Sequence, residues 1–233
     1  MSAREQILGK LRAAPTQSAP RPDLSAHYQR FSPVRNEIDT LRHWARMMRA
    51  AKTEIIWVSE NNWSQCLVSW VAARRLGTLL LSDTTHGASA RAALQEQGVA
   101  TRLIRFNLPI EACKQELFTQ VDASLTSVRC AIAATGTLVL WPDSAEPRSM
   151  SLIAPLHLAL FDTRTLYPDF YSAMSREHWS ERMPSNALLI SGPSKTADIQ
   201  LTLAYGAHGP RELVVFAQLP PHIDAKTLEE IRA

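Results

Sequence analysis

From residue 36 onward, short continuous apolar runs alternate with amphipathic segments of helical spacing. Asn36 is a preferred N-cap residue, and the helix predicted after it places Ile38, Leu41, Trp44 and Met48 on one face. The predicted elements that follow are strand 53–59, helix 62–76, strand 78–82, helix 88–97, strand 101–106 and helix 109–120. Apolar strands that alternate with helices predict an α/β fold: a mostly parallel sheet with helices on both faces.

The second half of the chain departs from this alternation. Two β-rich runs within 128–141 flank Thr135-Gly136-Thr137, and the glycine between them predicts a bulge, a sharp bend or a close backbone approach. The predicted elements that follow are a loop over 142–155, a strand over 156–162, a helix around 168–182, a strand over 186–191, a helix over about 195–205, a strand over 212–217 and a helix over 224–232.

The first 35 residues differ from the rest in charge and in proline content. Ser2 and Glu5 have capping-box spacing, which predicts a helix over 3–13, and four prolines from Pro15 to Pro33 predict an extended linker after it. This segment holds six basic and two acidic residues, a net charge of +4, whereas the remaining 19 basic and 20 acidic residues give −1. We therefore expect a basic N-terminal helical arm and linker over 1–35 and a single α/β domain over 36–233. Whether the arm docks on its own domain or reaches a partner stays open.

Charge and cysteine content exclude several classes of protein. Because the positive charge lies in the arm and not on the folded body, a dedicated nucleic-acid binder is not expected. Cys66, Cys113 and Cys130 form no CxxC pair, so we expect no cofactor or metal bound by this chain alone. The start of the chain lacks the apolar region of a signal peptide, and no uncharged apolar stretch is long enough for a membrane span. The expected compartment is the cytoplasm.

Two stretches are candidates for binding a small anion. Gly192 ends a predicted strand, and Ser194 and Thr196 would lie at the amino end of the helix predicted over 195–205, where free N–H groups and the helix dipole favour an anion. The same residues also fit an ordinary helix start, and spacing does not separate the two interpretations. His208 lies between two glycines of a turn, where its ring can reach a ligand or simply fill the turn.

The second candidate stretch surrounds Gly136. The hydroxyls of Thr135 and Thr137 are expected to face whatever approaches the backbone there, and Arg148 in the next loop is suited to a carboxylate or phosphate. The alternative for Arg148 is an ion pair with Glu146. Glycine-rich nucleotide-binding loops and the GxSxG elbow are absent from the sequence, and no catalytic residues stand out.

Three stretches of this sequence resemble the LUD-domain family, and within it the lactate utilization protein C group. They are AIAATGTLVL (131–140), EPRSMSLIAPLH (146–157), and SGPSKTADI (191–199) followed by GAHGP (206–210). The resemblance implies a fold similar to the CoA-transferase and ribose-5-phosphate isomerase group. In the family that this chain resembles, many members have an acidic residue directly before TGT. This sequence has Ala134 at that position, so a carboxylate nucleophile of the CoA-transferase kind is not expected there.

The resemblance also implies a function and partners. We expect a component of an L-lactate utilization system, a subunit of a lactate-oxidising complex and not a complete enzyme, which supports oxidation of L-lactate to pyruvate. Iron–sulfur clusters are then expected on partner proteins, and a small anionic metabolite is the expected ligand. The alternatives are a stand-alone isomerase or transferase acting on a phosphorylated or CoA-linked small molecule, and a non-catalytic ligand sensor on the same fold.

Overall fold

The computed structural model describes residues 2–14, 20, 22–31, 36–106, 115, 117–197 and 203–229, which belong to two units, 1–33 and 34–233. The smaller unit contains helix α1 (Ala3–Ala13), which begins with the predicted capping box, since Ser2 and Glu5 each bind the other's backbone N–H. It also contains helix α2 (Leu24–Phe31). The prediction of a wholly extended linker is therefore wrong. A proline-free stretch follows Pro22, and the Asp23 carboxylate accepts a bond from the N–H of Ala26 in the first turn.

Within the residues that the structure describes, the β-strands belong to the larger unit. Its strands are β1 (Glu54–Ser59), β2 (Thr78–Leu81), β3 (Arg102–Arg105), β4 (Ala123–Ser127), β5 (Cys130–Ile132), β6 (Thr137–Leu140), β7 (Leu156–Asp162), β8 (Leu166–Tyr167), β9 (Leu188–Ile190), β10 (Lys195–Ala197), β11 (Leu203–Tyr205) and β12 (Glu212–Leu219). Its helices are α3 (Glu37–Ala50), α4 (Trp63–Arg74), α5 (Thr85–Glu96), α6 (Arg148–Leu152), α7 (Phe170–Arg176) and α8 (Ala225–Glu229).

The main sheet has six strands in the order β1-β12-β7-β4-β2-β3, and every neighbouring pair is parallel. One face is covered by α4 and α5, whose Leu67 and Leu94 pack into the same cluster as Leu79 and Phe216 of the sheet. The predicted α/β architecture, with a parallel sheet and helices on both faces, is confirmed.

The opposite face is covered by α3, the short α6 and a second sheet. That sheet has four strands in the order β8-β5-β6-β9. Trp44 of α3 lies at the centre of this interface, with its ring 5.1 Å from the ring of Phe161 in the main sheet. The second sheet therefore lies over the same face as α6, and the candidate site is formed between them.

Several sequence predictions differ from the structure, and one falls on residues that the structure does not describe. Strand β4 was not predicted, because its residues ASLTS combine apolar positions with buried hydroxyls. The loop predicted over 142–155 contains α6, and the helix predicted around 168–182 is limited to Phe170–Arg176. The helix predicted over 109–120 falls largely outside the described residues.

The helix predicted over 195–205 is wrong. Lys195–Ala197 and Leu203–Tyr205 are instead the strands of an antiparallel hairpin, with Thr196 opposite Ala204. The pairing extends beyond these strands, because the Ser194 N–H donates to the Pro210 carbonyl and the Gly206 N–H donates to the Ser194 carbonyl. The backbone groups that a helix start would leave free are thus occupied by strand-type hydrogen bonds.

Candidate functional site

The main sheet has a topological switch point between β2 and β4. From β2 the chain continues to β3 on one side, whereas from β4 it continues to β7 and β12 on the other. In open parallel sheets, ligands bind outside the carboxyl ends of the strands at such a point. A cavity of about 510 Å³ lies here, lined by Thr84 and His86 after β2 and by Thr126 and Ser127 at the end of β4. We call it the larger cavity.

Glu146 supplies a carboxylate to the larger cavity and joins the ends of β2 and β4. Its Oε1 accepts bonds from the hydroxyls of Ser82 (2.9 Å) and Thr84 (3.2 Å), and its Oε2 accepts from the N–H (2.9 Å) and hydroxyl (2.6 Å) of Ser127. A carboxylate has about four acceptor positions, so these four bonds hold it in place and leave it poorly suited to act as a nucleophile. These contacts replace the ion pair with Arg148 that the sequence left open.

Arg129 brings a positive charge to the larger cavity, and the His86 ring also lines it. The Arg129 guanidinium lies 4.9 Å from the ring centre of Trp141, and its Nε donates to a Glu177 carboxylate oxygen at 2.6 Å. The Tyr167 hydroxyl donates to the other Glu177 oxygen at 2.7 Å, and burial is the main reason that the pKa of Tyr167 rises to about 12. The ion pair uses the inner nitrogen of Arg129, so its terminal amino groups can face an anion.

A second cavity, of about 190 Å³, adjoins the first and shares Ser151 with it. We call it the smaller cavity. His157 at the start of β7 lines it and is 1% exposed. Its Nε2 lies 2.8 Å from the Thr126 hydroxyl, while its Nδ1 has no hydrogen-bond partner within the described part of the chain. Burial lowers the pKa of His157 to about 4, so the ring is neutral at physiological pH.

A chain of three hydroxyl groups reaches the smaller cavity from the second sheet. The Oγ1 atoms of Thr135 and Thr137 are 2.6 Å apart, and Thr137 Oγ1 is 2.7 Å from the Oγ of Ser191. Ser191 lines the cavity, whereas Thr137 is buried behind it and Thr135 is exposed. The threonine hydroxyls predicted to meet a ligand therefore connect to the cavity through Ser191.

The predicted site residues separate into three groups. Gly192, Ser194 and His208 are brought together as lining of the smaller cavity, and their role in ligand binding stays a prediction. Thr135 and Thr137 lie behind Ser191, as described above. The remaining predicted residues, Gly136, Arg148 and Thr196, lie outside both linings among the residues that the structure describes.

Gly136 and Gly192 both have positive φ angles, +58° and +137°; Gly136 lies against α3, and Gly192 lies against Ala51, the residue that caps the end of α3. A Cβ at Gly136 would lie 2.5 Å from Met47 Cβ, and one at Gly192 would lie 2.8 Å from Ala51 Cβ. The close backbone approach predicted at Gly136 is confirmed, and the partner is the protein's own helix. These glycines allow the second sheet to pack against α3.

Arg148 and Thr196 do not form the predicted anion site. Arg148 is exposed at the first position of α6, a helix of five residues, and Thr196 belongs to the β10–β11 hairpin. Lys195–Ala197 forms a strand and not the first turn of a helix, so the helix dipole that was expected to attract an anion at these residues is not present there. A positive charge lies instead at the larger cavity, on Arg129, which is paired with Glu177, and the same lining includes the carboxylates of Asp143 and Glu146.

Sequence reasoning missed Ser82, Thr126, Ser127 and His157, and it considered Glu146 only as a partner of Arg148. Ser82 offered a usable signal, since it is the polar last residue of the apolar strand predicted over 78–82. His157 lies within an apolar strand, where the spacing of residues does not show whether a histidine lines a site or only fills the core.

Two negative observations apply to the described residues alone. In these ranges, no group of three or more His, Cys, Asp or Glu side chains could hold a metal ion. Over the same residues, no helix is long and apolar enough to cross a membrane.

The sequence model of the LUD domain family matches residues 41–217 of this chain. The chain belongs to the LUD domain family. An uncharacterized protein of Neisseria meningitidis serogroup B is 47% identical over 233 residues, which cover 99% of each chain. Lactate utilization protein C of Halalkalibacterium halodurans is 36% identical over 95 residues, which cover 39% of this chain and 41% of that protein. The family predicted from the three motif stretches is thus confirmed.

The fold is similar to that of a solved crystal structure. The crystal structure of a DUF162 family protein from Deinococcus radiodurans superimposes with a TM-score of 0.58 at 19% identity, covering 80% of this chain and all of that one. At this identity the likeness concerns the fold alone.

Proposed function

We propose that this LUD-domain protein is a cytoplasmic component of an L-lactate utilization system. It supports the oxidation of L-lactate to pyruvate together with iron–sulfur partner proteins, which take up the two electrons released. The observation that carries the proposal is the LUD match over 41–217. The 36% identity with a lactate utilization protein C supports it, although that alignment spans about two fifths of each protein.

Within this function, the larger cavity is the proposed site for a small anionic metabolite. It lies at the sheet's switch point, and the terminal amino groups of Arg129 can bind a carboxylate in a bidentate manner. The Thr126 hydroxyl can donate to a further ligand oxygen when His157 Nε2 carries the ring proton. The Ser127 hydroxyl donates its hydrogen to Glu146, so it can only accept a bond from a hydroxyl group of the ligand. Glu146 holds this frame together and is not the group that reacts.

Two features favour this function over the stand-alone transferase. A transferase of the CoA type needs a free carboxylate nucleophile, whereas Ala134 precedes the TGT stretch and the Glu146 oxygens already accept four bonds. The cysteines lack the spacing of cluster ligands, which supports placing the iron–sulfur clusters on the partners.

The test is growth on L-lactate in the native organism. Deleting the encoding gene is expected to abolish growth on L-lactate and to leave growth on pyruvate intact. A copy carrying Arg129→Ala is expected to restore growth poorly, because loss of one charged hydrogen-bond partner weakens anion binding by about 10- to 100-fold. The matched control is Arg105→Ala, since Arg105 is exposed on the edge strand β3 and lies outside both cavity linings. Normal growth of the deletion strain on L-lactate would contradict the proposed function.

A further inference from the structure

The smaller cavity differs from the larger one in having no charged lining. Among its described lining residues there is no Lys, Arg, Asp or Glu, and the polar groups are hydroxyls and two histidines. His157 is neutral, and His208 is exposed. A phosphate or another multiply charged anion would lose its hydration here without gaining a counter-ion. The lining suits an uncharged polar group.

His157 can present either a donor or an acceptor to this cavity. Its Nε2 is engaged by Thr126, so Nδ1 is the ring nitrogen left for a ligand. When the Thr126 hydroxyl donates to Nε2, the ring proton lies on Nδ1, which is then a donor. When Nε2 carries the proton and donates to Thr126, Nδ1 is an acceptor. Both arrangements keep the Thr126 bond.

The Ser191 hydroxyl can also act either as a donor or as an acceptor toward a ligand, for a different reason. The three hydroxyls of Thr135, Thr137 and Ser191 carry three hydrogens, while the two bonds between them use two. When both bonds run in the same direction, the third hydrogen lies at one end of the chain, on Thr135 or on Ser191. If all bonds run towards Thr135, Ser191 accepts from a ligand, and if they run the other way, Ser191 donates to it.

We propose that the smaller cavity is a second binding site, which takes a small uncharged alcohol and the corresponding ketone with similar affinity. An alcohol oxygen needs one donor and one acceptor, whereas a carbonyl oxygen needs two donors. His157 Nδ1 and Ser191 Oγ can meet either demand by shifting protons within their own hydrogen-bond chains. The volume of about 190 Å³ equals about six water molecules, which sets the ligand at a similar number of heavy atoms.

The test uses three uncharged amides on one three-carbon skeleton: lactamide, pyruvamide and propionamide. Calorimetric titration of the full chain is expected to give lactamide and pyruvamide affinities within about threefold, and a propionamide affinity about tenfold weaker, because propionamide lacks the C2 oxygen. Ser191→Ala is expected to remove most of this preference. Ser89→Ala, an exposed hydroxyl on α5 that donates to the Thr85 carbonyl, is expected to change nothing.

A spectroscopic measurement separates the proposed role from general packing. With ¹⁵N-labelled histidine, pyruvamide is expected to draw His157 into the tautomer that carries the proton on Nδ1. Equal binding of propionamide, a tenfold difference between lactamide and pyruvamide, or no binding of any of the three amides would overturn the proposal. None of these results depends on growth on L-lactate, so this proposal and the proposed function can fail separately.

Discussion

The buried His157 should make the folded state sensitive to acid. Burial holds its pKa at about 4, against 6.5 for an ordinary histidine. As the pH falls below 6.5, the unfolded chain binds a proton that the folded protein still excludes, so the free energy of unfolding falls. The loss continues until the pH reaches the folded pKa, and between pH 7 and pH 4 it amounts to about 3 kcal/mol. Since a typical domain is stable by about 5–15 kcal/mol, the effect is large enough to measure.

The measurement is urea denaturation of the wild type and of His157→Gln at several pH values from 7 to 4. Glutamine keeps a polar group near Thr126 but does not titrate, so the stability difference between wild type and variant should shrink by about 3 kcal/mol over this range. His222→Gln is the matched control, because His222 is an exposed histidine paired with Glu37 at 2.8 Å. A difference between wild type and His157→Gln that stays constant with pH would refute the reasoning, since it would mean that the folded protein can protonate His157 freely.

Three further predictions concern the frame around the cavities and the arm. Glu146→Ala is expected to lower the free energy of unfolding, measured by urea denaturation, by about 2–3 kcal/mol, because four hydrogen-bond donors lose their charged acceptor. A loss below about 1 kcal/mol would argue against the role of Glu146 in joining the ends of β2 and β4. Gly136→Ala is expected to lower the free energy of unfolding by about 1–3 kcal/mol more than Gly98→Ala does. Both glycines have a φ near +60°, but the added methyl group meets Met47 at Gly136 and nothing within 4 Å at Gly98. Equal losses of stability in the two variants would contradict the close contact at Gly136. If the arm reaches a partner, deleting residues 1–35 is expected to leave the melting temperature nearly unchanged and to weaken assembly with partners. If the arm docks on its own domain, the deletion is expected to lower the melting temperature and leave assembly unchanged.

The sequence predicted the sheet well because its strands are buried and its helices are amphipathic. Asn36 does cap a helix, and Leu41, Trp44 and Met48 are buried on its inner face as the spacing predicted. The β5–β6 turn at Gly136 was also predicted, since a glycine between two β-rich runs points to a backbone that other residues cannot adopt. These features are local, so neighbouring residues are enough to specify them.

The candidate site depends on contacts that local patterns do not specify. In β4, Ser124 is buried and bonds to the Met150 carbonyl, so a polar residue occupies a position that the pattern assigns to the surface. The pairing of Lys195–Ala197 with Leu203–Tyr205 is continued by a backbone bond from the Ser194 N–H to the carbonyl of Pro210, which is 16 positions away in the sequence. Glu146 lies 64 residues from Ser82, and their contact follows from strand order and not from a motif.

The most direct test of the central claim is to recover the chain from cells of the native organism growing on L-lactate. A tagged full chain should bring with it iron–sulfur proteins, stoichiometric iron and an activity that oxidises L-lactate to pyruvate with an artificial electron acceptor. Removing the tagged chain from the extract should remove most of that activity. Recovery of the chain without iron, from an extract that keeps its full lactate-oxidising activity, would contradict the proposed role in lactate utilization.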